Sequence, residues 1–361
     1  MISIRFLLSI PSLFWIYQTQ ASIFKHSMKL KNTIKKKLNS TYKTENGKIA
    51  SHFLWKEGSL VSVWRRPETG RNRLEADPSD IDQNQINKYS DYEPRNIRKS
   101  TFFTNSRINS KAEMAITDLF TRRALYNIDL IIDEVEKYPD PIKRALYLTL
   151  TSSSGQMSSM VFAITGRGKT KNLVSEKIEV GSWVIGFWKP NLHFEINVWN
   201  CFESRATKLY KSLQDTLIKK YTVHDSIDSL LKVNNGAAII HANCLLSLKE
   251  IPDKSIKLIC TDPPHSDRIP YLELSELWNS ILNKKVIFED EIIVSNAKER
   301  NKKKPSYIND MTLFISESSR VLKDDGLFLL YYNARDKQSW KFMELLSSTS
   351  NLNYIGAFPM E

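Results

Sequence analysis

The residues Asp262-Pro263-Pro264-His265 close the apolar run SIKLICT (255–261) and are followed by the helix-like stretch YLELSELWNSIL (271–282). Proline donates no N–H and fixes φ, so two in succession end a strand and build a stiff corner. That corner carries one carboxylate. A carboxylate beside a proline carbonyl suits an exocyclic amine on a planar base. Such a nitrogen is a poor nucleophile because its lone pair is delocalised into the ring. When each acceptor takes one N–H, the nitrogen is drawn toward tetrahedral geometry and its lone pair is aimed at an electrophilic methyl group. The gain comes from positioning and charge complementarity, without a covalent intermediate. An aromatic ring at the fourth position would stack on the base, and a base inside a duplex must be flipped out to arrive.

The surrounding pattern shows what must hold the corner. AAIIHA (237–242), SIKLICT and LFLLYY (327–332) read as short buried strands, and NLNYIGAF (351–358) as the start of a fourth. Between them CLLSLKEIP (244–252), residues 271–282, residues 306–322 and WKFMELLSS read as helices, with KDDG (323–326) as a turn. Apolar strands alternating with helices predict an α/β domain with a mostly parallel sheet covered on both faces. Ligands of such sheets bind beyond the carboxyl ends of the strands, where Asp262 stands.

In this setting the stretch resembles the amino-group DNA methyltransferases, whose signature is [DNS]PP[YFW]. The run IIHANCLLSLKEIPDKSIKLICTDPP is similar to that family's strand, turn, helix, strand and corner. IPYLELSELWNSIL, FEDEII and SRVLKDDGLFLLYYNARD are similar to the segments after the corner in one bacterial DNA methylase subgroup. LFTRRALYNIDLIIDEV and EINVWNCFESR resemble the subgroup's middle region. The resemblance covers roughly residues 100–361 and is strongest over 238–336. It implies a Rossmann-like fold and methyl transfer from S-adenosylmethionine to DNA, at adenine N6 more than cytosine N4. Asp262 would hold the amine, Pro263 and Pro264 would shape the corner, and His265 would take the stacking position. Asn243 falls where the family has an acidic residue that contacts the cofactor's adenosine, and Asp267 and Tyr271 would lie near the target base.

The chain departs from that pattern in three ways. His265 replaces Tyr, Phe or Trp, and offers less stacking area. Asn243 replaces a carboxylate. No DPFxGxG-like glycine turn is present, the one close pair being Gly166-Arg167-Gly168. The resemblance therefore implies either a second chain that supplies the glycine-turn half, in a modification or defence system with a restriction subunit alongside, or an inactive DNA-binding fragment or subunit of the same family.

Upstream, the apolar positions from Met114 to Val135 recur at three- and four-residue steps, which predicts a helix starting near Ser110 and ended by Pro139 and Pro141. A second helix is expected over 142–160, two short strands around Lys189-Pro190 within 181–199, and helix again over 202–220. Residues 51–100 read as short strands and loops at best. The expected divisions are an apolar leader (1–24), a basic irregular region (25–100), a helical and β-hairpin region that could contact DNA (101–235) and the methyltransferase domain (236–361).

Lys and Arg exceed Asp and Glu by 52 to 40, a net charge of +12. That balance admits a polyanionic partner such as nucleic acid, and equally a basic protein without one. Three cysteines without CxxC spacing argue against a disulfide framework or a zinc ribbon and for free thiols in a cytoplasmic protein. The leader resembles a short secretory signal, yet Pro11 interrupts it and it is short for a membrane span. It is read as an upstream extension, with Met28 as an alternative start and no membrane attachment expected. AITGRGKT (163–170) approaches the phosphate loop GxxxxGK[ST], with Ala163 in place of the first glycine, and defines a further alternative, a P-loop protein using Lys169. His193 and His224 lack partners at ligand spacing, so no metal site is expected. Trp183, Trp188 and Trp199 read as packing residues, Glu273 and Glu276 as a helix face that could be solvated, and Trp278 and Asn279 as residues packing that helix on the sheet.

Overall fold

The computed structural model describes residues 49–66, 73–140, 142–165, 178–215, 222–224, 226–232, 236–344 and 350–358. The leader, the basic run after it, and Gly166, Gly168 and Lys169 lie outside the described residues. The fold is mixed α/β. Strands β1 (Ile49–Lys56) and β2 (Ser59–Arg66) form an antiparallel hairpin. Glu57 and Gly58 turn it with φ of 51° and 85°. Two successive left-handed residues match the twist of a hairpin, and glycine adopts that conformation without a Cβ clash.

Strand β3 (Leu74–Ala76) adds to β2, and helix α1 (Asp80–Asn87) comes next. Helices α2 (Arg122–Val135) and α3 (Ile142–Met157), the short strands β4 (Ala163–Ile164) and β5 (Glu179–Val180), strand β6 (Leu192–Ile196) and helix α4 (Val198–Asp215) complete this half. β6 pairs antiparallel with β1, so the larger sheet has the order β3-β2-β1-β6. Residues on either side of the expected boundary at 100 therefore share one sheet. Helix α2 starts later than the sequence pattern indicates. Thr121 caps it by accepting from the Ala124 N–H, and residues 116–119 form a 3₁₀ turn. The Ser110 hydroxyl instead donates to the Phe103 carbonyl at 2.7 Å.

The second half runs through β7 (Thr222–His224), α5 (Ile227–Leu231), β8 (Gly236–Ala238), α6 (Cys244–Lys249), β9 (Ile256–Thr261), α7 (Tyr271–Ile281), α8 (Lys304–Val321), β10 (Leu322–Leu330) and α9 (Lys341–Glu344). Among the described residues its strands make two separate parallel pairs, β9 with β10 and β7 with β8. KDDG, expected as a turn, lies inside β10 as a register irregularity between Leu322 and Leu327. Residues 351–358 carry no strand.

Strand alternation divides the β9–β10 pair into two faces. Phe328 and Leu330 pack on a core of Tyr307, Met311, Phe314 and Ile315 from α8 with Phe342 from α9. On the other face Leu258, Leu327 and Leu329 are 58%, 55% and 44% exposed. Among the described residues the expected cover on both faces is thus present on one. The reason lies in α7, whose Leu274, Leu277 and Ile281 join the core built by α2, α3 and β6. Trp278 packs against that same core, not on the parallel strands.

Candidate functional site

Thr261 ends β9, and its carbonyl accepts from the Tyr331 N–H at 2.9 Å just past β10. The corner therefore sits beyond the carboxyl ends of two paired parallel strands. Its residues divide sharply by burial: Pro263 and Pro264 are buried, whereas the Asp262 side chain is 53% exposed. A strand tip backed by packed prolines presents its acid to solvent, because the rings leave it no inward path.

His265 stands next to that acid. Its Nε2 lies 3.3 Å from Asp262 Oδ1, and its Nδ1 accepts from the Asn333 N–H at 3.4 Å. These contacts fit the neutral tautomer with the proton on Nε2. Burial lowers the imidazole pKa below the ordinary value, Asp262 opposes that shift, and Arg268 adds to it. The ring meets Tyr332 edge-on at 5.4 Å between centroids.

The corner is braced from behind. Tyr307 on α8, fully buried, donates its hydroxyl to the Pro264 carbonyl at 2.7 Å and sits 2.9 Å from the Tyr332 hydroxyl. Tyr332 in turn donates to the Ser339 carbonyl at 2.9 Å. Burial raises the Tyr307 pKa to about 12, so the hydroxyl keeps its proton. Ser266 holds a left-handed φ of 60°, which costs a non-glycine residue on the order of 1 kcal/mol or more. Its hydroxyl accepts from Ser339 at 2.7 Å, and its carbonyl accepts from the Val294 N–H at 3.3 Å. Of the two proline carbonyls, that of Pro263 accepts no hydrogen bond from the described residues. Asp262 Oδ1 lies against His265, and Asp262 Oδ2 and the Pro263 carbonyl have no partner among the described residues.

The other residues singled out in the sequence are placed differently. Asp267 forms an ion pair with Arg107, its side chain 23% exposed. Tyr271 opens α7 and is 38% exposed. Asn243 caps α6: its Oδ1 accepts from the Leu245 N–H at 2.9 Å and its Nδ2 donates to Asp290 at 3.1 Å. Each end of that amide thus has one partner already, which leaves one N–H and one oxygen lone pair. With only two strands beside the corner, the described residues do not form a whole cofactor pocket.

Glu273 and Glu276 are buried rather than solvated. Glu273 accepts from Asn105 at 2.6 Å, Ser295 at 2.7 Å and Arg300 at 2.8 Å, and Arg300 also reaches Glu291 at 2.9 Å. Glu276 accepts two bonds from Arg98, at 2.9 and 3.1 Å. The helix after the corner is therefore tied by its charges to residues 98–105 and to the segment before α8. Asn279 bonds back to Ser275 within the helix.

Two clefts, of about 320 and 280 Å³, lie elsewhere, the first beside Trp55, Thr121 and His193 and the second beside Arg95, Tyr147 and Ile281. The corner is a surface site outside both. Among the described residues no cluster of His, Cys, Asp and Glu could hold a metal ion, and no helix is long and apolar enough to cross a membrane. No family model, curated protein or solved structure matches the chain. The resemblance to amino-group methyltransferases accordingly rests on the residues of the chain itself.

Proposed function

We propose that this chain carries the amine-holding half of a DNA amino-methyltransferase on a Rossmann-like scaffold. It would act in the cytoplasm, within a modification system, on adenine N6 in preference to cytosine N4. The observation that carries the reading is the exposed Asp262 carboxylate at the tip of parallel strand β9, beside a proline carbonyl that accepts no hydrogen bond from the described residues. Asp262 and Pro263 each accept one N–H of the extruded base and orient its nitrogen lone pair away from the corner. His265, neutral and donating to Asp262, keeps the carboxylate in one rotamer and offers an edge to the base. S-Adenosylmethionine, when bound, supplies the methyl group. The partly engaged Asn243 amide and the two-stranded sheet support a shared cofactor site, with a second chain contributing the glycine turn and covering the bare face of β9 and β10.

The same two observations favour a second reading, a DNA-binding subunit of this lineage without activity of its own. Calorimetric titration with S-adenosylmethionine, followed by transfer of labelled methyl to duplex DNA, separates the two. Micromolar binding with transfer that Asp262→Ala abolishes supports the enzyme. Absence of both heat and transfer, also with the neighbouring reading frame co-expressed, supports the silent subunit. The P-loop alternative rests on AITGRGKT (163–170), of which residues 166–170, with Lys169, lie outside the described residues.

A further inference from the structure

Residues 331–340 run off the carboxyl end of β10 and fold against the corner. The Asn333 N–H meets His265, Arg268 donates to the Asn333 carbonyl at 3.0 Å, and Ser339 donates to Ser266 at 2.7 Å. These bonds fix the segment's backbone and sort its side chains. Ala334 and Ser339 are buried, whereas Arg335 and Lys337 are exposed. Tyr331 and Trp340, at the two ends of the segment, are 36% and 37% exposed.

The charges around the corner are unevenly matched. Asp336 is paired with Lys304 at 2.9 Å and Asp267 with Arg107. Asp262 faces a neutral imidazole. Among the described residues neither Arg335 nor Lys337 has a carboxylate within ion-pair distance, and Arg268 bonds only to a backbone carbonyl. Arg268, Arg335 and Lys337, on segments tied to the corner, are thus cations without a carboxylate partner among the described residues, and the part-exposed Tyr331 and Trp340 flank them on the strap. Cations that track a phosphate backbone, interleaved with aromatic rings, are the recurring chemistry of nucleic-acid grooves.

We infer that Arg268, Arg335 and Lys337 form a phosphate-gripping rim that holds the DNA strand on either side of the base presented to Asp262. The inference rests on the proposed function for its choice of DNA as the polyanion. It adds which residues make the backbone contacts and places Arg335 and Lys337 on the strap that folds against the corner and Arg268 on the segment just after the corner.

The test measures binding of a labelled duplex oligonucleotide by anisotropy across roughly 50–200 mM salt. It uses the Asp262→Ala chain without methyl donor, so that no turnover enters the measurement. The double substitution Arg335→Gln with Lys337→Gln should weaken binding roughly ten- to a hundredfold and flatten the slope of log K against log salt by roughly 0.9 per lost contact. The pair Lys284→Gln with Lys285→Gln, exposed just past α7, removes the same charge and should leave the slope nearly unchanged. An unaltered slope in the first pair, an equal loss in the second, or no salt-dependent binding at all overturns the rim. If the rim fails while Asp262-dependent transfer persists, the proposed function stands. If transfer fails while the rim pair alone flattens the slope, the rim stands without the methyltransferase.

Discussion

Tyr307, fully buried on α8, donates its hydroxyl to the carbonyl of Pro264 at 2.7 Å. This bond ties the candidate corner to the C-terminal core, since the same ring packs with Met311, Phe314 and Phe342. Tyr307→Phe keeps the ring and leaves a buried proline carbonyl without its donor, a loss of about 1–3 kcal/mol. Urea denaturation should register that destabilisation. Methyl transfer should fall about ten- to a hundredfold in kcat with little change in KM for DNA, because the corner would lose position rather than contact.

The Asp262 side chain is 53% exposed, so its removal should separate chemistry from stability. Asp262→Ala is expected to lower transfer by at least about a hundredfold while leaving the denaturation midpoint within experimental error. His265→Tyr places a larger ring at the stacking position and frees the carboxylate oxygen that His265 now engages. Its expected effect is faster transfer at saturating DNA, measured by single-turnover incorporation of label. An unchanged rate would show that stacking area does not limit the reaction.

Arg300 lies between Glu273 and Glu291, and all three side chains are at most 3% exposed. Removing the guanidinium strands two buried carboxylates, which costs about 3–5 kcal/mol. Arg300→Gln should therefore lower stability far more than Arg144→Gln, whose ion pair with Asp140 is more than half exposed on both sides. Exposed pairs of that kind contribute roughly 0–1 kcal/mol. Equal midpoints for the two variants would exclude a structural role for the triad.

Much of this arrangement could be read from local pattern. The strand into Asp262, the helix 271–281 and the strand ending at Leu330 follow from apolar spacing and from prolines that permit only one continuation. The burial of Glu273 and Glu276 could not, because Asn105 and Arg98 lie 168 and 178 positions away in the chain. A carboxylate facing water and one facing a distant guanidinium look alike in sequence. The late start of α2 has a different cause. Ile116 and Leu119 fit helical spacing, yet they are buried in a 3₁₀ turn, and burial is what the spacing reports. The β1–β2 hairpin did carry a signal, Glu-Gly between two alternating runs, which a glycine-poor turn leaves weak. The bare face of β9 and β10 results from α7 packing elsewhere, a tertiary choice that strand hydrophobicity alone does not encode.

His52, on β1 of the larger sheet, ties stability to pH. It is 4% exposed, with Nδ1 2.9 Å from the Ser51 hydroxyl, and its pKa falls from 6.5 to about 3 through burial, with Arg73 and Arg66 adding to the shift. The folded state therefore holds this imidazole neutral where the unfolded chain protonates it. Below pH 6.5 the unfolded state binds more protons, so stability drops as pH falls and the loss continues toward the folded pKa. Each pH unit in that window corresponds to about 1.4 kcal/mol, or about 2 kcal/mol between pH 6.5 and 5. His52→Gln removes the titration while retaining a polar group near Ser51. Urea denaturation at both pH values should show a smaller acid loss in the variant, by about the same 2 kcal/mol. Parallel losses in the two proteins would mean that the native sheet admits a charged His52.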